Sequence, residues 1–359
     1  MKTDFNSDKQ AGLSIVELLV ALALSSILLV GLFQIFNSNR QAFDLQGGVA
    51  RVQESGRISM EFLSRNVRGA GYLGCASGDA SSPFDNSVDQ TLYNEASFRN
   101  EWARYDGTNG ITGFENITGA VAVLNNMGIS QGAGNQQIVS GTDAFIVHSV
   151  EPCPGTSGRV TASTNGSVTI ENATACGLSQ FDVVVVSSCN SAEAFAITSD
   201  PTATNTLSRA DSHNAGSNFT AGAYPTEGTY VYRPRVTAFH VGNTAGGEPA
   251  LFMTSLVRNG LDTDFVTLEI AQGIEQLQIL YGEDTDAVQD GTANRYVTAT
   301  DVSSFLQVVS LRARMLARSG DRVAAGNQTY NFNGATVTAG DLRLRVPYET
   351  TNTIRNRLK

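Results

Sequence analysis

The longest apolar run in the chain reaches from Leu13 to Phe36, and a single charge, Glu17, interrupts it. As a helix rising 1.5 Å per residue, these roughly 24 residues are enough to cross about 30 Å of hydrocarbon. A polar leader, residues 1–12, precedes the run and ends at Gly12. It carries Lys2 and Lys9 and is expected to stay on the cytoplasmic side. Beyond the run, no proline occurs from Asn39 to Arg68. Val52, Ser59, Phe62, Leu63 and Val67 recur at helical spacing there, which predicts one buried stripe on an amphipathic helix. The pattern therefore predicts one continuous helix, apolar over residues 13–38 and amphipathic over 39–70. Gly47-Gly48 is expected to bend or loosen it, and Gly69-Ala70-Gly71 to end it.

The period then changes. Residues 71–137 show weak periodicity and read as a long irregular connection with short elements, one of them Phe98 to Tyr105 around Trp102. Strand signals become dense after that. Ala144–Val150 and Phe181–Val186 are β-branched runs bounded by turn residues. Thr229–Val241 reads as a strand, or as a bent pair broken near Pro234, and Leu251–Arg258 leads into the hairpin signal Asn259-Gly260. Leu277, Ile279 and Tyr281 alternate with polar partners. In Val309–Arg318, Val309, Leu311, Ala313 and Met315 face one way and Arg312, Arg314 and Arg318 the other. Leu342, Leu344 and Val346 alternate with Arg343 and Arg345. This is an α+β pattern, a long N-terminal helix packed on a large antiparallel β domain over residues 71–359.

Composition narrows the function. The net charge is −10 and no basic run occurs, which argues against nucleic acid as a partner. The four cysteines, Cys75, Cys153, Cys176 and Cys189, all follow the apolar run. An even count on an exported domain reads as two disulfides, and four cysteines permit three connectivities. No C-x-x-C pair exists and His148, His213 and His240 are scattered, so neither a zinc site nor a catalytic triad is expected. No nucleophile-elbow, zincin or phosphate-loop motif occurs either. No catalytic residue and no cofactor is assigned. Asp284, Asp286 and Asp290 with Gly291 loosely resemble a calcium loop. Val288 stands where the spacing calls for an acid, so a polar hairpin loop between Tyr281 and Tyr296 is expected instead.

Glu17 is the residue that needs explaining, because a carboxylate at the centre of a bilayer costs about 2.5–3.5 kcal/mol. A cut after Gly12 would place the new ammonium of Leu13 one helical turn away. Opposite charges on neighbouring copies would then neutralise each other in an apolar bundle. A secretory signal would carry a shorter apolar core with its cleavage site after it, and an ordinary signal anchor has no use for the acid. Gly12-Leu13-Ser14-Ile15-Val16-Glu17 resembles the class III signal of type IV pilins. The resemblance implies cleavage by a prepilin peptidase between Gly12 and Leu13, N-methylation of Leu13, and an assembly role for Glu17.

The resemblance extends to the PilW family of minor pilins. It is carried by Ala50–Arg57, Arg68–Cys75, Asp182–Cys189, Gly273–Gly282, Asp284–Asp286, Ala293–Val297 and Thr353–Leu358, all in the family's order. Residues 76–140 carry little of it. Cys75 and Cys189 both lie in such segments, so the resemblance pairs them and leaves Cys153 with Cys176 to close a local loop. It further implies a low-abundance subunit that primes pilus assembly and forms part of the tip complex. Its expected partners are other minor pilins, the major pilin, a large non-pilin tip adhesin and the prepilin peptidase. Its expected locations are the inner membrane before assembly, with the C-terminal domain periplasmic, and the pilus tip afterwards. A minor pseudopilin of a type II secretion system shares the same signal and spine, and a ligand-binding anchored module is the alternative from another class. Deletion separates the first two, since one abolishes surface fibres and the other secretion.

Overall fold

The computed structural model describes residues 14–76, 83–89, 109–259 and 262–357. Helix α1 (Ile15–Arg68) runs unbroken through 54 residues and stops at Gly69. From Ile15 to Gly47 every residue except Gly31 is exposed. Burial begins at Gly48 and continues through Val52, Gly56, Ser59, Leu63 and Val67, which form one stripe. Phe62 was expected in that stripe but lies on its flank, 40% exposed. The helix continues through the Gly47-Gly48 pair without a break. Gly48 instead lets α1 approach the domain so closely that a Cβ there would lie 2.7 Å from a Val323 methyl. Gly56 does the same one face-repeat later, under the ring of Tyr348. Both glycines buy proximity rather than flexibility.

The main sheet is built around its longest strand, β9 (Tyr230–Asn243). Before it come β1 (Phe84–Asn86), β2 (Ile111–Ile117), β3 (Thr142–Pro152), β4 (Val160–Thr164), β5 (Ser167–Ile170), β6 (Val183–Ser187), β7 (Ala192–Ala196) and β8 (Thr206–Ser208). Behind it come β10 (Pro249–Asn259) and β11 (Asp262–Gln272). Tyr232 pairs with both Pro152 and Val185, and His240 with both Ala144 and Phe252. Strand β9 therefore carries β3 and its neighbour β2 along one edge. The other edge takes β6 first and β10 further on, extended by β7–β1 and by β11. Among the described residues, β1–β7 is the one parallel strand pair of this sheet. Pro234 does not split β9, because it sits in register opposite Val150 within one continuous strand. In the stretch expected to be irregular, β2 forms around Gly113, whose missing side chain makes room for the Tyr281 ring. Helix α2 (Ala122–Asn125) is a single turn. The segment expected around Trp102 lies outside the described residues.

A second sheet has the order β13-β12-β14-β17, formed by β12 (Ile274–Glu283), β13 (Arg295–Val297), β14 (Val308–Arg318) and β17 (Arg345–Thr353), all antiparallel. Between β14 and β17 stands a separate hairpin, β15 (Gln328–Phe332) and β16 (Ala335–Ala339). The alternation read at residues 342–346 begins too early, since Leu342 has φ +59° and the chain turns there, so the strand starts at Arg345.

Alternation along the strands sets two main cores. Phe145, Val147, Phe239, Val241, Leu277, Ile279, Leu311, Ala313 and Met315 meet Val52, Leu63 and Val67 of α1. Ala144, Ile146, Val236 and Ala238 point to the opposite side, over Leu124, Met127 and Ile129. A third core lies under the small β4-β5-β8 sheet. Each fully buried aliphatic side chain contributes about 1.5–3 kcal/mol, so the C-terminal half of α1 is a structural part of the domain. Asp143 joins the two sheets, accepting from Asn116 N and Ile279 N, each at 2.8 Å. Burial pushes its carboxyl up to about 6.

Candidate assembly site

The first turn of α1 is capped by its own side chains. Ser14 Oγ accepts from Val16 N at 3.3 Å, and Glu17 Oε2 accepts from Ser14 N at 3.1 Å. This capping box satisfies backbone donors that a helix start otherwise leaves open. It also turns the Glu17 carboxylate back toward the chain's beginning, the side on which a new N-terminus at Leu13 would lie. Gly12 and Leu13 themselves lie outside the described residues. After this turn the helix presents apolar residues on every face, with Ile15, Leu19, Leu22, Ile27, Leu28 and Phe33 each more than half exposed. A helix that is apolar all round needs an apolar environment, a membrane or other helices. By length and composition this helix is long and apolar enough to cross a bilayer.

The end of the helix is anchored firmly. Gly71 N donates to His148 O at 2.8 Å, Val150 N to Tyr72 O at 3.0 Å, and Asn356 Nδ2 to Ala70 O at 3.0 Å. A few residues on, Cys75 is bonded to Cys189, at the turn between β6 and β7. The second disulfide joins Cys153 to Cys176, 23 residues apart, and lies in the core of the small sheet.

The remaining candidate chemistry disperses. His148 is buried on β3, and His213 lies tilted against Phe181 with ring centroids 4.7 Å apart. His240 is buried on β9, its Nε2 3.0 Å from Gln136 O. Asp284, Asp286 and Asp290 do converge, each presenting an oxygen within 4.8 Å of the others, which the spacing did not lead one to expect. The loop's own donors hold them. Asp284, which is buried, accepts from Asp286 N and from Gly291 N at 2.7 Å, and Asn294 Nδ2 reaches Asp286.

Burial lowers the His240 imidazole to about 4. A histidine kept neutral in the fold contributes stability above its unfolded pKa of about 6.5 and loses it as pH falls through the folded value. Its share of stability should fall by up to about 3 kcal/mol between pH 6.5 and 4. Asp143, with its pKa raised, works in the opposite sense and loses stability as pH rises through about 6. Denaturant melts of wild type and His240→Gln at several pH values isolate the histidine. The wild-type advantage should shrink on acidification, and a constant difference would show that His240 does not titrate with unfolding.

The comparisons with known proteins bear on this arrangement at both ends of the chain. A family model described as the prokaryotic N-terminal methylation motif matches residues 7–33. The model for type IV pilus-assembly protein W matches residues 238–356, from β9 to the close of the second sheet. The chain thus carries a prepilin-type methylation motif at its N-terminal end and a PilW pattern in its C-terminal third. A type IV-like pilin from Thermus thermophilus is similar over 35% of this chain and 70% of its own, at 19% identity and a TM-score of 0.23. Among curated proteins none matches significantly. The methylation motif covers the capped start of α1 and most of its exposed apolar half, and it implies membrane anchoring. The PilW match covers the strands on which the buried half of α1 packs, namely β11, β14 and β17.

Proposed function

We propose that this PilW-like chain is a minor pilin that primes type IV pilus assembly and forms part of the pilus tip complex. The observation that carries the reading is the division of α1. One half, with Glu17 in its first turn, is apolar on all sides, while the other is locked into a folded domain. Such a helix can leave the bilayer and enter a bundle of like helices without exchanging its apolar surroundings for water. In this reading a prepilin peptidase cuts between Gly12 and Leu13 and methylates Leu13. Glu17 then meets the ammonium of a neighbouring pilin. The partners are other minor pilins, the major pilin and a large non-pilin tip adhesin. The domain faces the periplasm before assembly and sits at the cell-surface tip of the fibre after it.

Mass spectrometry of the cellular protein, with and without the peptidase, tests the first step. The expected mature chain begins at methylated Leu13, and only where the peptidase is present. An intact Met1, or a cut further downstream, would remove the basis for the assembly role.

A further inference from the structure

The outer face of the second sheet is bridged by the β15–β16 hairpin, which stands off it as a strap. At the base of the hairpin Gln328 acts as a substitute strand neighbour for Arg345, accepting from Arg345 N at 2.6 Å and donating to Arg345 O at 2.7 Å. At the tip, Asn333 Oδ1 accepts from Arg314 Nη1 at 3.1 Å. Between these two anchors lies a cleft of about 700 Å³, within the usual size range of small-molecule sites.

The roof is aromatic. Tyr330 and Phe332 line the cleft, with Val337 and Ala335 as their cross-strand partners, while Thr329 and Asn331 are exposed and do not line it. The opposite walls offer amides. Gln276 comes from β12 and Asn243 from the end of β9. Both are half-buried, and neither side chain is hydrogen-bonded among the described residues.

The charges beside the cleft are already matched. Arg318 pairs with Glu248 at 2.8 Å and Glu275 at 3.4 Å, Arg343 with Glu248 at 3.1 Å, and Arg345 with Glu275 at 2.5 Å and Asp341 at 2.7 Å. Three arginines face three carboxylates, which leaves no net charge to recruit an anion or a cation. The floor is the face of a sheet and not its edge. An extended peptide therefore finds no ladder of backbone donors and acceptors there.

The geometry points to a binding site for a neutral oligosaccharide. Phe332, and the face of Tyr330 not covered by the Arg345 guanidinium 5.9 Å from its centroid, offer flat apolar surfaces to the C–H face of a pyranose ring. Gln276 and Asn243 each bring two donors and an acceptor to its hydroxyls.

The test uses the full chain in a detergent without a sugar headgroup, since maltoside micelles would compete. Saturation-transfer NMR is recorded with maltotriose, cellotriose and tri-N-acetylchitotriose as probes. At least one should receive magnetisation at millimolar concentration. Phe332→Ala should then weaken binding about tenfold, a loss of one good stacking contact. Gln276→Ala reports from the wall opposite the hairpin, independently of the hairpin's packing, and should weaken it as well. No transfer to any of the three probes overturns the site, as does binding unaffected by both substitutions. Preference for an oligogalacturonate, with affinity falling as salt rises, overturns its neutral character.

Discussion

Replacing Glu17 with alanine is expected to leave cleavage after Gly12 intact and to strip the chain from filaments. On the proposed reading Glu17 acts through its charge, and breaking a buried ion pair from one side costs about 3–5 kcal/mol because it leaves the partner charge stranded. A loss of about 3 kcal/mol corresponds to a drop in incorporation on the order of a hundredfold. The capping geometry supplies a sharper variant. Glu17→Gln retains an oxygen able to accept from Ser14 N, so the helix start survives while the charge is gone. If the charge is what matters, the glutamine variant fails as the alanine one does. Quantitative blotting of sheared fibres, normalised to processed protein in the membrane, reads both. Wild-type incorporation of either variant would remove Glu17 from assembly.

The largest expected loss of stability lies elsewhere, at Glu193→Ala. Glu193 and Arg209 form an ion pair at 2.8 Å with both side chains 1% exposed. Glu193 also accepts from Ser87 Oγ at 2.5 Å and from Thr220 N at 2.9 Å. Arg209 in turn donates to the carbonyls of Asn218 and Ala215 and lies over the Phe219 ring. The pair thus stitches β7 to the end of β1 and to the loop that closes the third core. Removing the acid strands a buried guanidinium and should cost about 3–5 kcal/mol. The double replacement Glu193→Leu with Arg209→Met should recover part of that, because it leaves no buried charge, although Thr220 N and the Asn218 and Ala215 carbonyls lose their partners. Urea unfolding of wild type, the Glu193→Ala variant and the double variant measures both changes. A single-variant loss below about 1 kcal/mol would place the pair among weak surface bridges.

Much of the architecture was legible because its signals are long. An apolar run followed by an amphipathic stretch without proline leaves α1 little alternative, and the alternation from Val309 to Arg318 reads directly as β14. Phe62 was misassigned because a residue three after Ser59 falls close to the buried stripe on a helical wheel yet still on its flank. What could not be read depends on neighbours distant in sequence. Strand β2 contains Gly113, which looks like a breaker until the Tyr281 ring is seen to occupy the space it leaves. The Gly48 and Gly56 contacts with Val323 and Tyr348 join positions more than two hundred residues apart. The β15–β16 hairpin did carry a local sign. Asn333-Gly334, with φ of +48° and +79°, is the pair favoured in two-residue hairpin turns. The cleft beneath it had none, since it arises only when that hairpin is pinned at both ends. The convergence of Asp284, Asp286 and Asp290 was hidden for a related reason, as spacing alone does not fold the loop.

The linkage of Cys75 to Cys189 has a mechanical meaning. A subunit gripped by its N-terminal helix and pulled through its domain carries tension along the path from α1 into the main sheet. Once the packed half of α1 is loaded, the hydrogen bonds at Ala70, Gly71 and Tyr72 come next on that path, and such contacts yield one at a time when peeled. The covalent bond a few residues further on caps how far the peeling can run. Beyond Cys75, extension of the leading segment is arrested at the β6–β7 turn, and the load passes to strands clamped on both sides. With its thiols reduced, the same domain would pay out chain under a force that the oxidised one sustains.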